Sequence, residues 1–500
     1  MLARSALIYA PSIILPRLAS FAVVLMLTHR LPAAEFGFYT LVVLIGEMLD
    51  TGSSNWIRFT MLRLDIAEPG GWRKSFRRSY VLTACAVGIS GLVALAIAWP
   101  MAQSRAPAFA LALLLYVMAN SLSRIGLTAL QMRERRAIYS LLEVSRSLVL
   151  LASAALAVQL GATSFLQVVG VTSAVTFSFG LLTVAASRHR LPSDTAEATG
   201  YLARLQYGAS LIVLGVFTYA ALGSDRVLLK LLSGPAAVGV YAAAYVLGRL
   251  PSDIVTAALN QGAFPELMKR HDRDGKAAAR AFLETTWRLH SLLTLGTFAM
   301  LCGLNSALVT ALLPAAYVPP AKTLLPIIAA ASVLQNTKIG VVDNIFHVMR
   351  KNWLQLTSYG PAVIGAILTG VIAIPRLGAT GAALSALVGM GAGLAGSVFL
   401  TRRMIAFRAL DRELVKAVAA AVCAFTAASV AAWTARGQAP MLDLIIGFIA
   451  GAGAWGCAVL VLRPEAARGP LQAVLSRLRP PSARDATNPE DTRDAEGVAP

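Results

Sequence analysis

The chain has 500 residues, of which 57% are hydrophobic and only 14% are charged, and its formal net charge is +19. Soluble globular proteins carry about 25% charged residues, so this composition excludes an ordinary soluble enzyme, a coiled coil and a disordered chain. An excess of basic residues indicates nucleic-acid binding in a soluble protein. Almost no long polar segment is available here for such a module, so we expect no nucleic-acid partner.

Apolar stretches follow one another from residue 6 to residue 462. We count about fourteen, each near the roughly 20 residues that a helix needs to cross a bilayer. Lys and Arg concentrate in every second connection, as at Arg73, Lys74 and Arg133. Because basic residues favour the cytoplasmic side of a membrane, both termini are expected in the cytoplasm. The predicted fold class is an all-α polytopic membrane protein.

Short motifs recur in the two halves of the chain in the same order. Leu160-Gly-Ala-Thr163 recurs as Leu377-Gly-Ala-Thr380, and Gly37-Phe-Tyr39 resembles Gly239-Val-Tyr241. The repeat holds six spans, an even number, so both copies insert with the same orientation and a cleft lies between them. We expect two six-helix bundles related by pseudo-two-fold symmetry (1–200 and 201–407), an extra transmembrane helix pair (408–463) and a disordered cytoplasmic tail (464–500).

Several ionisable residues lie inside the predicted spans, where each costs about 2.5–3.5 kcal/mol and so faces a cavity or a partner. Arg17 is at the middle of the first span and has no acidic neighbour in its own helix, which favours a cavity-facing cation. A cationic cavity attracts anions, and Arg binds phosphate through two parallel hydrogen bonds. The predicted cargo therefore carries an acidic group, and the predicted cavity cations are Arg17, Arg124, Arg226, Arg249 and Lys338.

Some of these charges also allow a structural interpretation. Glu143 and Arg146 are three residues apart, and Arg249 and Asp253 are four apart, so each pair can share one helix face. Glu47 and Arg249 hold equivalent places in the two repeats. They are expected to meet across the cleft, either as a gate or as an ordinary ion pair between helices.

Motifs of several other protein classes are missing from the sequence. There is no GxxxxGK[ST] phosphate loop, no histidine pattern for a metal, and no external connection long enough for a catalytic domain. The four cysteines lie singly in apolar runs, which indicates neither a zinc site nor a disulfide framework. We therefore expect no enzyme activity, no catalytic residue, no cofactor and no metal site.

Five segments of the chain carry a family resemblance: Leu31-Pro-Ala-Ala-Glu-Phe-Gly-Phe-Tyr39, Ser224-Asp-Arg-Val-Leu228, Val238-Gly-Val-Tyr241, Phe264-Pro-Glu-Leu267 and Leu377-Gly-Ala-Thr-Gly-Ala-Ala383. They resemble the polysaccharide transporters of the multidrug/oligosaccharidyl-lipid/polysaccharide exporter superfamily. The resemblance implies a flippase in the bacterial inner membrane for an undecaprenyl-pyrophosphate-linked oligosaccharide, as used for O-antigen, capsule or exopolysaccharide. It implies membrane lipid and a polysaccharide polymerase complex as partners, and it matches Arg17, Arg226 and Arg249 to cationic cavity positions.

The energy source for such a transporter is expected to be coupled movement of H⁺ or Na⁺. The carboxylates predicted to serve in ion coupling or gating are Asp225, ranked first, with Glu47, Asp50 and Asp343. Two alternatives stay open. A drug or small-molecule antiporter of the same superfamily would favour acidic charge in its cavity, and an integral membrane enzyme of glycan assembly would need an acid-rich active-site loop.

Overall fold

The computed structural model describes residues 2–65, 71–189, 199–405, 410–435 and 439–467, and within these ranges it contains helices and no strand. The long helices of the first repeat are α1 (Leu2–Arg30), α2 (Ala33–Ser53), α4 (Trp72–Ala102), α5 (Ala106–Met132), α6 (Arg136–Gln159) and α7 (Phe165–Arg188), with a short α3 (Asn55–Thr60) after α2. A π-helical segment, Met61–Asp65, continues α3.

The second repeat contains α8 (Tyr201–Ser233), α9 (Pro235–Gly303), α10 (Asn305–Leu312), α11 (Val318–Thr337), α12 (Asn344–Val348), α13 (Asn352–Leu377) and α14 (Ala379–Thr401). A second π-helical segment, Lys338–Val342, lies between α11 and α12. The last two helices are α15 (Arg412–Thr434) and α16 (Pro440–Leu462). Residues 269–280, which are rich in Lys and Arg, are helical, because α9 runs through them and breaks only at Gly275, where φ is 77°.

Nine helices in the described part of the chain are long and apolar enough to cross a membrane, or ten if one bent pair forms a single span. That count takes α4 and α5 together as one unit. The chain is therefore an all-α multi-pass membrane protein, as predicted. The number of fourteen spans and the bundle boundaries at 200, 407 and 463 stay predictions. The predicted tail is described only to residue 467 and otherwise lies outside the described residues.

Helix packing follows the repeated sequence. In the first repeat α1 packs on α6 and α5 on α7, and in the second repeat the equivalent helices α8 and α13, and α11 and α14, pack on each other. The recurring Leu-Gly-Ala-Thr motif forms the turn between α6 and α7 and again between α13 and α14. Gly161 and Gly378 have positive φ values of 90° and 54° in these turns, a conformation that glycine adopts without steric cost. The extra helices α15 and α16 pack on each other, and α15 also packs on α9.

The two repeats touch at their equivalent glycines, Gly37 of α2 and Gly239 of α9. A Cβ atom on Gly37 would lie 1.9 Å from the carbonyl oxygen of Pro235, and one on Gly239 would lie 2.2 Å from that of Ala33. Small residues let membrane helices approach this closely. The crossing thus closes the cleft where α2 and α9 begin, which is the external side in the predicted topology.

Candidate functional site

A cavity of about 440 Å³ lies between the two repeats. Its walls come from α1, α2 and α5–α9. Among the described residues its charged lining consists of four arginines and one carboxylate, and four tyrosines contribute aromatic faces and hydroxyl groups. These residues are Arg124, Arg146, Arg226, Arg249, Glu47, Tyr39, Tyr116, Tyr219 and Tyr245.

The wall formed by the first repeat contains a closed network of charges. Arg124 donates to Glu47 at 2.6 Å and to Asp50 at 2.8 Å. Asp50 is fully buried and also accepts hydrogen bonds from Arg58 at 3.0 Å and Ser121 at 2.5 Å. A buried carboxylate of this kind is stable only with such partners, so Asp50 fixes the arginine and does not face the cavity.

Glu47 does face the cavity, but its carboxylate is already occupied. Besides Arg124, it accepts the hydroxyl hydrogen bonds of Tyr116 at 2.8 Å and Tyr219 at 3.4 Å. The predicted gate between Glu47 and Arg249 is not formed in this structure. Each residue takes its ionic partner from its own repeat, Arg124 for Glu47 and Asp253 for Arg249.

The wall formed by the second repeat presents two arginines on one aromatic ring. The guanidinium carbon of Arg226 lies 4.1 Å from the ring centre of Tyr245, and that of Arg249 lies 4.9 Å from it. Arg249 contacts Asp253 at 3.3 Å, and Arg226 contacts Asp225 at 3.6 Å. The buried Nε of Arg226 has no hydrogen-bond partner among the described residues. Arg226 also donates to the carbonyl oxygen of Leu222 at 2.8 Å, and Arg249 to the hydroxyl group of Tyr245. Because the carboxylate contacts of both arginines are long, their remaining N–H groups are available to an anion.

Asp225 lies behind this wall. It is buried, it accepts the hydroxyl hydrogen bond of Tyr241 at 2.6 Å, and it borders a separate void of about 10 Å³ together with Ser332 and Gln335 of α11. That volume is close to the space that one water molecule or a small ion occupies. The sequence prediction that ranked Asp225 first for ion coupling stays a prediction, to which the structure adds this void.

The other predicted site residues lie away from the cavity lining. Arg17 is half-buried on α1, one turn before the lining residue Ser20, and forms no ion pair with any described side chain. Lys338 and Asp343 are each only 1% exposed and pair with each other at 2.7 Å. Lys338 also donates to Ser358 at 3.1 Å. Both partners of the Lys338 ammonium group therefore lie within the second repeat.

Sequence reasoning did not single out two features of the cavity. Arg146 pairs with Glu143 at 2.5 Å, as its spacing indicates, yet it also lines the cavity. The tyrosines were missed altogether, although Tyr245 precedes Arg249 by one helical turn and this spacing places both side chains on one face. In the described part of the chain no group of three His, Cys, Asp or Glu side chains is placed to hold a metal ion.

The sequence comparison identifies a family. A family model described as "Polysaccharide biosynthesis protein" matches residues 26–321, which is more than half of the chain. The chain therefore belongs to this family, as the resemblance of its motifs predicts. No curated protein matches the chain in sequence.

Solved structures show the same fold. The lipid II flippase MurJ, in an inward-closed conformation, superposes with a TM-score of 0.70 at 10% identity over 91% of this chain and 98% of MurJ. An inward-facing multidrug-resistance MATE transporter gives 0.62 at 13% identity over 78% and 94%. A transporter from Pyrococcus furiosus, described by the reverse polarity of its binding pocket, gives 0.57 at 12% over 81% and 95%. The fold is thus that of the superfamily that contains these transporters.

Proposed function

We propose that this member of the polysaccharide biosynthesis family is a flippase for a polyprenyl-pyrophosphate-linked oligosaccharide in the bacterial inner membrane. The observation that carries the proposal is the second-repeat wall, where Arg226 and Arg249 share one tyrosine ring and hold their carboxylates at 3.6 and 3.3 Å. A pyrophosphate competes well for such donors because guanidinium groups bind it through paired, charge-assisted hydrogen bonds.

The cavity solves a problem of solvation. A charged head group cannot enter hydrocarbon without partners, since an isolated buried charge costs far more than a protein can offset. Arginine side chains and tyrosine hydroxyl groups line the cavity of about 440 Å³, and they take the place of water around the head group. The repeats then rock about the cavity, and their contact at Gly37 and Gly239 closes one side of it. We assign the repeats to residues 1–200 and 201–407.

The lipid tail needs a different environment, and the second half offers one. An apolar groove of about 650 Å³ lies between α9, α10 and α16, with Leu301, Phe448 and Trp455 in its walls. It starts at Pro251, two residues after the cavity residue Arg249. A tail seated there stays in contact with lipid while the head group occupies the cavity. The extra helix pair, residues 408–463, would then serve to hold the tail.

The flippase is proposed to couple transport to H⁺ or Na⁺ movement through Asp225. The drug-antiporter alternative is favoured by one observation, the MATE fold, which this chain shares at a TM-score of 0.62. It is disfavoured by the lining, because Glu47 is the one carboxylate among the described lining residues and Arg124 and Tyr116 already occupy it. A cationic drug would find no unpaired carboxylate there.

The test is a flipping assay with purified protein in proteoliposomes. A fluorescent polyprenyl-pyrophosphate oligosaccharide reports how fast head groups leave the leaflet where they start. Arg226→Gln with Arg249→Gln should slow flipping by at least tenfold, because a charge-assisted hydrogen bond contributes about 1.5–3 kcal/mol. Arg402→Gln with Arg403→Gln removes two exposed cations elsewhere and should leave the rate unchanged.

A second arm separates the proposal from its alternative. Efflux of a cationic dye from the same vesicles should be absent in wild type. Flipping at the wild-type rate by the Arg226/Arg249 double variant would overturn the proposed function, as would dye efflux without flipping. In cells, Arg17→Ala should lower display of the periplasmic glycan, which checks the half-buried cation of α1 independently.

A further inference from the structure

A second basic pocket lies at the ends of α4, α7 and α8, and it shares no residue with the central cavity. Its volume is about 800 Å³. Five of its described lining residues are cations, two are aromatic and none is acidic: Arg73, Lys74, Arg77, Arg78, Arg188, Phe76 and Tyr201. Five like charges around one concave surface repel each other, so the pocket favours an anionic occupant.

A buried ion pair builds this pocket by joining α8 to the π-helical segment Met61–Asp65, which precedes α4. Arg204 is completely buried and donates to both carboxylate oxygens of Asp65 at 2.6 and 2.7 Å, and to Ser79 of α4 at 2.8 Å. Ser75 also bonds to Asp65. Because Arg204 and Ser75 already bind the carboxylate of Asp65, that carboxylate does not neutralise the pocket cations.

The pocket cations are partly oriented in advance. Arg78 donates to the carbonyl oxygen of Thr199 at 2.9 Å and lies 5.6 Å from the ring centre of Tyr201. Arg188 lies 4.6 Å from the ring centre of Tyr80. Lys74 and Arg77, by contrast, are exposed and have no ion-pair or hydrogen-bond partner among the described residues. Two fixed and two available cations on one surface suit a phosphate group.

The surroundings of the pocket identify the kind of anion. Apolar side chains that are exposed on the isolated chain continue outward along the same three helices, with Val81 on α4, Leu182 on α7 and Leu202 on α8. The pocket is at the end of the bundle that the charge distribution places in the cytoplasm. Basic pockets between membrane helices on that side bind anionic lipid head groups. A molecule that carries both a phosphate group and hydrocarbon chains matches the basic pocket and the apolar side chains beside it.

We propose that this pocket binds the head-group phosphate of an anionic phospholipid of the cytoplasmic leaflet. The bound lipid neutralises the cations of α4 and α7 and its acyl chains cover the apolar faces beside them. The proposal does not depend on the transported substrate, because the pocket and the central cavity have no residue in common. It concerns a resident lipid that holds the ends of three helices together.

Native mass spectrometry of the full chain tests this assignment. Protein from nanodiscs with equal phosphatidylglycerol and phosphatidylcholine should retain phosphatidylglycerol preferentially. Each Lys or Arg near a membrane surface strengthens anionic-lipid binding about fivefold, so Lys74→Gln with Arg77→Gln should weaken retention roughly 30-fold. Lys74→Arg with Arg77→Lys keeps both charges and should retain the lipid as wild type does.

Controls separate the pocket from general surface charge and from a soluble anion. Arg402→Gln with Arg403→Gln removes the same charge at another exposed site and should retain the lipid fully. Equal retention by wild type and the Lys74/Arg77 variant would refute the proposal, as would equal losses in both double variants. Displacement of the lipid by inorganic phosphate at millimolar concentration would also overturn it, since the occupant would then be a soluble anion. Unfolding midpoints measured in phosphatidylcholine alone should agree for all variants.

Discussion

The glycine crossing between the two repeats predicts how to shift the conformational equilibrium of the protein. Replacing Gly37 by alanine places a methyl group 1.9 Å from the carbonyl oxygen of Pro235, whereas ordinary contacts of this kind begin at 3.4 Å. The helices α2 and α9 must therefore separate by about 1.5 Å at this point. Overpacking of this size costs about 1–3 kcal/mol. Because the open state lacks the contact, the cost falls on the closed state alone.

A penalty of that size should change the ratio of open to closed molecules by about 5- to 150-fold. Spin labels report the change when they are placed at the two equivalent turns, through Leu160→Cys and Leu377→Cys in a chain without its native cysteines. Both leucines are exposed, so the labels should not disturb packing. Gly37→Ala should enlarge a population with longer label separation.

Gly170→Ala is the matched control, because a Cβ atom there meets nothing within 4 Å. Its distance distribution should equal that of the parent. Identical distributions for Gly37→Ala and Gly170→Ala would show that the crossing does not hold the external side closed. Loss of folding is checked by an unchanged elution volume and helical circular dichroism.

Three further substitutions test the remaining parts of the structure. Lys338→Met should destabilise the protein by about 3–5 kcal/mol because it leaves Asp343 buried without a counter-charge; adding Asp343→Leu should recover most of this loss in the thermal unfolding midpoint, and no recovery would contradict the pairing. Asp225→Asn should abolish the response of flipping to an imposed H⁺ or Na⁺ gradient, and a preserved response would remove Asp225 from coupling. Phe448→Asp puts a charge worth about 2.5–3.5 kcal/mol into the apolar groove, so the KM for a long-chain polyprenyl substrate should rise more than tenfold while that of a short-chain analogue stays the same.

Much of the architecture could be predicted because it depends on local patterns. Continuous apolar runs predict membrane helices, and the recurrence of Leu-Gly-Ala-Thr predicts equivalent turns, which the positive φ of Gly161 and Gly378 confirms. The pair of Glu143 and Arg146 also follows from spacing alone. Each of these inferences needs only residues that are close in sequence.

The cavity could be predicted only in part because it depends on how helices rotate. Arg17 and Lys338 both lie inside predicted spans, yet their spacing in the sequence does not show which groups their charges contact. Lys338 meets Asp343 and Ser358 across a π-helical segment, and a single extra residue per turn there changes the direction of every following side chain. Sequence spacing does not reveal such a change.

The charge pairing of the cavity has a mechanical consequence. Each lining arginine takes its carboxylate from its own repeat, as Arg124 does from Glu47 and Arg249 from Asp253. Moving one repeat against the other therefore breaks none of the ion pairs that line the cavity. By contrast, the buried pair of Arg204 and Asp65 joins α8 of the second repeat to the π-helical segment Met61–Asp65 of the first repeat and can act as the pivot. The activation barrier between conformations should then reflect the sliding of apolar surfaces, and the exchange rate should depend little on ionic strength.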